Sequence, residues 1–113
     1  MIPREGTQVS DEQLTTELAV RAMRWRLAPG RYLKPERGWI SRSAFRPLVD
    51  LNDAFRALDA VSDDYSILAQ PGGRFVVHVR TPARTGQAIG KSKARTISLA
   101  LAQALGIERE EKR

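Results

Sequence analysis

The clearest pattern of apolar and polar positions lies near the C-terminus, between Ser92 and Gly106. Apolar residues recur there at intervals of three and four, the period of an amphipathic helix. Ser92 is a suitable N-cap, and Gly106 is a suitable residue to end the helix. We expect this helix to cover one face of a sheet, with Leu101 at the centre of its buried side. The apolar stripe consists of Ile97, Ala100, Leu101, Ala104 and Leu105.

Two earlier segments carry the same helical period. A Ser-Asp-Glu-Gln sequence beginning at Ser10 is a capping box, and it predicts a helix over about residues 11–25. Asp50 or Asn52 is a suitable N-cap for a second helix, over about residues 51–61. The residues expected to be buried on these helices include Leu14, Leu18, Ala22, Trp25, Phe55 and Leu58.

Runs of alternating or β-branched residues predict strands elsewhere in the chain. Residues 65–69 and 74–80 are separated by Gln-Pro-Gly-Gly, which predicts a hairpin. A third short strand is expected around residues 87–89. Residues 31–47 are expected to form an excursion with edge-strand character rather than a helix.

The resulting order of helices and strands is typical of the α+β class. We predict an α+β fold with a small antiparallel sheet and helices packed in an α/β/α sandwich-like layering. The 113 residues suit a single domain. We place that domain at residues 10–107, between a flexible N-terminal arm (residues 1–9) and a charged C-terminal tail (residues 108–113).

The absence of cysteine from the sequence excludes a disulfide framework, a thiolate nucleophile and a cysteine metal site. The N-terminus lacks the apolar run of a signal peptide, and no apolar stretch has the length needed to span a bilayer. These features favour a cytoplasmic protein without membrane contact.

The net charge of +6 is unevenly distributed. Residues 21–46 contain eight Arg or Lys and one Glu, and residues 74–95 contain six Arg or Lys and no acidic residue. If these basic blocks meet in space, they make a face that attracts anions. An arginine-rich surface that only keeps the protein soluble is the alternative. The candidate residues for binding an anion or a partner are Arg24, Arg26, Arg31, Arg80, Lys91 and Lys93.

The start of the last predicted helix carries Lys91, Lys93 and Arg95, although the helix dipole disfavours cations there. A bound anion would resolve this conflict. Residues 81–90 are long enough to fold back and bring Arg80 next to the two lysines. We therefore expect these three residues to form one cationic patch.

No catalytic constellation is visible in the sequence. His78 is the only histidine, and no acidic residue lies near it in sequence, so a packing role on its strand is expected. No glycine-rich phosphate-binding motif is present. We therefore expect a non-enzymatic protein with no cofactor and no metal. A cluster of aspartates matches no calcium loop and is explained by capping and solvation; it comprises Asp50, Asp53, Asp59, Asp63 and Asp64.

Residues 17–25, Glu-Leu-Ala-Val-Arg-Ala-Met-Arg-Trp, resemble the opening helix of the phage ABA-sandwich domain, a family of small phage proteins. Family members typically carry Met-Gly-Trp near the end of that helix, and here Arg24 replaces the glycine. The resemblance covers about residues 14–106 and implies a phage or prophage origin, a helix–sheet–helix layering and no known reaction. Further matching positions are Phe45, Pro47, Ala54, Phe55, Ala94, Ile97, Ala100 and Leu101.

Three classes of function remain open. The first is a phage accessory protein that engages a host or phage protein through a basic surface, for example as an anti-defence inhibitor. The second is a nucleic-acid binder acting through phosphates, since residues 90–94 are similar to the basic start of the last helix in double-stranded-RNA-binding domains. The third is a protein that sequesters an anionic nucleotide, which would be a homo-oligomer.

Overall fold

The computed structural model describes residues 10–107 of the chain. The predicted arm and tail lie outside the described residues. Within residues 10–107, three helices and six strands follow one another, with a short 3₁₀ turn between the third strand and the second helix. In chain order they are α1 (Asp11–Arg21), β1 (Arg26–Ala28), β2 (Arg31–Leu33), β3 (Trp39–Ser41), the 3₁₀ turn (Arg42–Ala44), α2 (Leu51–Val61), β4 (Asp64–Gln70), β5 (Arg74–Arg80), β6 (Thr85–Gly90) and α3 (Lys93–Ala104).

Helix α1 begins with the predicted capping box, in which Ser10 and Gln13 exchange hydrogen bonds of 3.1 Å. The helix ends at Arg21, so the prediction that it continues to Trp25 is wrong. The chain turns at Arg24, whose φ of +63° lies in the left-handed region. Trp25 is nevertheless buried, as predicted, because the turn directs its side chain into the core.

Strands β1, β2 and β3 form a small antiparallel sheet that follows this turn. Strand β1 directly follows the residues predicted as helix, and it is not among the strands predicted from the sequence. The inner face of the sheet carries Tyr32, which is 1% exposed and packs against two other aromatic rings. The ring centroids of Trp25 and Phe45 lie 5.0 Å apart, and those of Trp25 and Tyr32 lie 5.7 Å apart. This aromatic cluster fixes the small sheet to the core.

Strands β4, β5 and β6 form a second antiparallel sheet with β5 at its centre. The predicted hairpin between β4 and β5 is confirmed, and Gly72 and Gly73 take its left-handed positions with φ of +88° and +74°. The inner face of β5 carries Val77 and Val79, at most 2% exposed. The third predicted strand is present and is longer than expected, running from Thr85 to Gly90.

Helix α3 lies on the inner face of this larger sheet. Ser92 caps it by accepting a hydrogen bond from the Arg95 N–H at 3.2 Å, as the sequence predicts. Gly86 on β6 allows the close approach, because a Cβ built there would lie 2.1 Å from the carbonyl oxygen of Ala100. The backbone φ of Gly86 lies outside the left-handed region, so the glycine is required by space and not by conformation.

The other elements also contact α3. Its Ser98 hydroxyl is buried and donates to the Pro47 carbonyl oxygen at 2.8 Å. Helix α1 reaches the end of α3 through Arg21, which donates to the Leu105 carbonyl oxygen at 3.3 Å. Because neighbours lie on several sides, α3 buries more than the predicted stripe. Its buried residues are Ala94, Thr96, Ile97, Ser98, Ala100, Leu101, Ala102 and Ala104.

Helix α2 has the predicted bounds and is capped by Asp50, which accepts from the Asp53 N–H at 3.2 Å. Phe55 is only half-buried, since its ring lies at the margin of the core, 6.3 Å from that of Tyr65. The Tyr65 hydroxyl donates to Asp59 at 3.3 Å. Burial, together with the charge of Asp59, raises the pKa of Tyr65.

The structure confirms the α+β class and its antiparallel strands. The strands form two separate sheets, and α3 packs between the larger sheet and helix α2. The outer face of the larger sheet leaves Leu68 and Ile89 more than half exposed, at 57% and 54%.

The left-handed Arg24 gives a stability prediction. A side chain with a Cβ is disfavoured at φ of +63°, whereas glycine is not. Arg24→Gly should therefore raise the free energy of unfolding by about 1 kcal/mol, measured by chemical denaturation.

Arg24→Ala is the matched control, because it removes the same charge and keeps the Cβ. Its stability should stay close to that of the wild type. Equal stabilisation by the two substitutions would mean that the arginine side chain, and not the backbone conformation, is the source of the cost.

Candidate functional site

The predicted binding cations do not lie together. Strand β6 returns antiparallel to β5, so Arg80 pairs with Thr85 at one end and Phe75 pairs with Gly90 at the other. Strand β5 runs from Arg74 to Arg80, which separates its ends by about 20 Å at about 3.4 Å per residue. The lysines that follow β6 lie at the far end from Arg80. The prediction of one patch joining Arg80, Lys91 and Lys93 is therefore wrong.

Arg80 is also paired with an acidic neighbour. Its guanidinium forms an ion pair with Asp64, with an Nε–Oδ2 distance of 3.1 Å. This hydrogen bond first, and then the charge of Asp64, raises the pKa of Arg80. Asp63 adds a further negative charge nearby. Arg80 therefore lies in a locally balanced environment and not in a cationic one.

Two of the three cations at the start of α3, Arg95 and Lys93, have partners within the protein. Arg95 donates two hydrogen bonds, of 2.9 and 3.0 Å, to Asp11 in the first turn of α1. These bonds raise the pKa of Arg95. The Lys93 Nζ lies 4.9 Å from the centroid of the Phe75 ring, a cation–π contact. The Asp11 carboxylate and the Phe75 ring thus stabilise these cations at the positive end of the helix dipole. Their presence there is therefore no longer evidence for a bound anion.

The other predicted residues lie on and beside the small sheet. Arg26 is in register with Leu33 and Trp39, and Arg31 is in register with Ser41. Side chains of paired residues project to the same face. Arg26, Arg31, Leu33 and Trp39 therefore share the outer face of this sheet, which we call the arginine–tryptophan face.

Trp39 is the most unusual residue of this face, because 59% of its surface is exposed to solvent. The guanidinium carbon of Arg31 lies 5.3 Å from the centroid of its ring, which holds the indole in a cation–π contact. Tyr32 and Ile40 alternate with these residues and point to the inner face, where Tyr32 is buried. The alternation thus leaves a large aromatic side chain in water beside Arg31, with Arg26 on the same face two strands away.

Further basic residues surround this face. Lys34 and Arg37 lie in the turn between β2 and β3, and Arg24 lies in the turn before β1. Sequence reasoning placed Arg24, Arg26 and Arg31 among the candidates and missed Trp39 and Leu33. The available signal was the alternation of side chains along a strand. Once the hairpin is assumed, this alternation places positions 31, 33, 39 and 41 on the face of the sheet that does not carry Tyr32 and Ile40.

A concave region lies on the larger sheet. It is an open depression of about 480 Å³ that includes His78 and Gln87. The cross-strand neighbours of His78 are Ser66 and Gln87, neither of which is a carboxylate. Among residues 10–107, no three His, Asp or Glu side chains come together as a metal-binding group.

The comparison with solved structures finds a similar fold. A crystal structure of a phage protein from Bacillus cereus ATCC 14579 superimposes with a TM-score of 0.71 and covers 97% of this chain and 100% of that one. The two sequences are 12% identical, so the likeness is one of fold alone.

Neither a protein-family model nor a curated protein matches the chain. The resemblance to the phage ABA-sandwich domain therefore stays a hypothesis. None of the helices in residues 10–107 has the length and apolar content to cross a membrane.

The contrast between the two tryptophans gives a fluorescence prediction. Trp25 is 4% exposed and Trp39 is 59% exposed, so acrylamide should quench mainly Trp39. In the Trp39→Phe variant, the remaining emission should shift to shorter wavelength and resist quenching. An emission that remains fully quenchable would contradict the burial of Trp25.

Proposed function

We propose that this chain is a non-enzymatic binding protein of phage type, which engages a protein partner through the arginine–tryptophan face. The exposed Trp39, in contact with Arg31 and on the same face of the sheet as Arg26, is the observation that carries this proposal. An indole that is 59% exposed costs hydration free energy in the free protein, and burial against a partner would recover it. The phage origin is supported by the similar fold of the Bacillus cereus phage protein.

The composition of the face favours a protein as the partner. Tryptophan and arginine are enriched among the few residues that contribute most of the binding energy in protein interfaces. Leu33 supplies an apolar neighbour between Arg26 and Trp39 in the same row. The excess of arginine and lysine around this row favours a partner surface rich in Asp and Glu, which would also accelerate association.

The dimensions of the face argue against the other two classes of ligand. Three strands of three residues give a flat area of about 10 Å in each direction. A nucleic acid bound through its phosphates needs a positively charged groove that follows its backbone, whereas this face is flat and short. A free nucleotide usually binds in a concave site that encloses most of its surface. Nucleic-acid binding remains the second candidate, because bases stack on exposed aromatic rings.

The test is a pull-down from the bacterial host cytosol with tagged full-length protein, with and without nuclease treatment. We expect the wild type to capture a host or phage protein whether or not nuclease is added. Trp39→Ala should weaken binding of the captured protein by about 2 kcal/mol, or roughly 30-fold, if Trp39 acts as a hot-spot residue. Arg31→Glu should also weaken binding of the captured protein, and the loss should be larger at low salt than at high salt.

The matched control is the double variant Lys91→Glu with Lys93→Glu, which reverses two charges at a distant site. It should bind as tightly as the wild type. Loss of binding in this control, with full binding by Trp39→Ala, would assign the partner to the start of α3 instead. Loss of the captured material on nuclease treatment would favour the nucleic-acid candidate.

A further inference from the structure

The two edges of the larger sheet are unlike each other. At the β6 edge, the Gln103 side chain accepts a hydrogen bond from the outward N–H of Gln87 at 2.9 Å. At the β4 edge, no described residue makes a comparable bond to the outward backbone groups. Strand β4 is seven residues long, and its residues are mostly exposed. Among residues 10–107, β4 is therefore the open edge of this sheet.

The hydrogen-bond pattern identifies which residues of β4 face outward. The Thr81 N–H donates to the Arg84 carbonyl at 3.0 Å, so the odd-numbered residues of β5 bond toward β6. Bonding directions alternate along an antiparallel strand, so the even-numbered residues of β5 bond toward β4. Their partners in β4 are also even-numbered. The N–H and C=O groups of Tyr65, Ile67 and Ala69 consequently point away from the sheet.

Strand β4 lacks the usual protection of an exposed edge. Natural edge strands carry lysine, proline or a bulge that prevents pairing with another chain. The residues from Tyr65 to Gln70 include no charged residue and no proline. The register with β5 is continuous from Asp64 to Gln70, so no bulge interrupts the strand. An open, regular edge that is uncharged from Tyr65 to Gln70 is a template for another strand.

We propose that two copies of this chain pair through β4 in antiparallel orientation, about a two-fold axis at Ile67. This register pairs Ile67 with its own copy and Tyr65 with Ala69 of the second copy. It satisfies all the outward N–H and C=O groups of these three residues. A shift of two residues toward the C-terminal end would place Pro71, which has no N–H, opposite Tyr65.

The side chains and charges are also complementary in this register. The half-exposed ring of Tyr65 lies beside the small, exposed Ala69 of the second copy. The acidic end of each strand, at Asp63 and Asp64, lies beside Gln70 of the other copy. Within that copy, Gln70 is the cross-strand neighbour of the basic Arg74. A parallel arrangement would instead bring the acidic ends together. These features favour a second copy over an unrelated strand as the occupant.

Cysteine cross-linking tests this register directly, because the natural sequence has no cysteine. In the full-length Ile67→Cys variant, the two Cα atoms would lie about 5.5 Å apart, within the range of a disulfide. In the same register, residue 68 of one copy lies opposite residue 66 of the other. The two Cα atoms in Leu68→Cys would therefore lie about 8 Å apart, beyond that range. We expect mild oxidation to give linked dimers from Ile67→Cys and little from Leu68→Cys.

Sedimentation of the wild type should give twice the mass of one chain at high concentration, falling toward one chain on dilution. Ala69→Pro, which removes an outward N–H and no ladder bond to β5, should reduce this association, whereas Leu68→Lys should not. A wild type that remains monomeric at every concentration would overturn the proposal. Equal cross-linking of the two cysteine variants would also overturn it.

Discussion

The structure depends on the close approach of helix α3 to strand β6. Gly86 leaves room for the backbone of α3 at Ala100 and Ala104, where any Cβ would collide with backbone atoms at 2.1 and 2.6 Å. With α3 seated there, its small residues allow other elements to pack on its remaining sides. The buried Ser98 then anchors the segment around Pro47, and Arg21 ties the end of α1 to that of α3. The fold is therefore organised around a helix that is buried on most of its circumference.

This arrangement determines which surfaces are left for binding. The start of α3 is occupied by Asp11 and the Phe75 ring, so Arg95 and Lys93 are already partnered. The small sheet is fixed by its inner aromatic residues and leaves its outer face in water. The same alternation of side chains that buries Tyr32 exposes Trp39. The candidate site is thus a consequence of how the small sheet is anchored, and its residues need no cavity to be held in place.

The sequence was sufficient to predict α2, α3 and the β4–β5 hairpin, since caps, glycines and periodicity agree there. The sequence was insufficient at Trp25. The apolar spacing of Trp25 fits a helix that continues to this residue, and it fits equally well a turn that directs the side chain back into the core. A glycine would have marked the left-handed turn after α1, but that position is occupied by Arg24. Lys91 and Lys93 were misplaced relative to Arg80, because a list of charges contains no information about strand order. Trp39 was missed as a site residue, because its exposure depends on which face of the small sheet is buried.

The measurement that tests this account most directly is hydrogen exchange and chemical denaturation of Gly86→Ala. If the approach of α3 to β6 organises the fold, the new methyl group should lower the free energy of unfolding by at least about 1–3 kcal/mol. Amides of both α3 and β6 should lose protection together. Gly90→Ala, whose methyl would meet the hydroxyl of Thr96 and not the backbone of α3, should cost less. Unchanged stability and protection in Gly86→Ala would contradict the account.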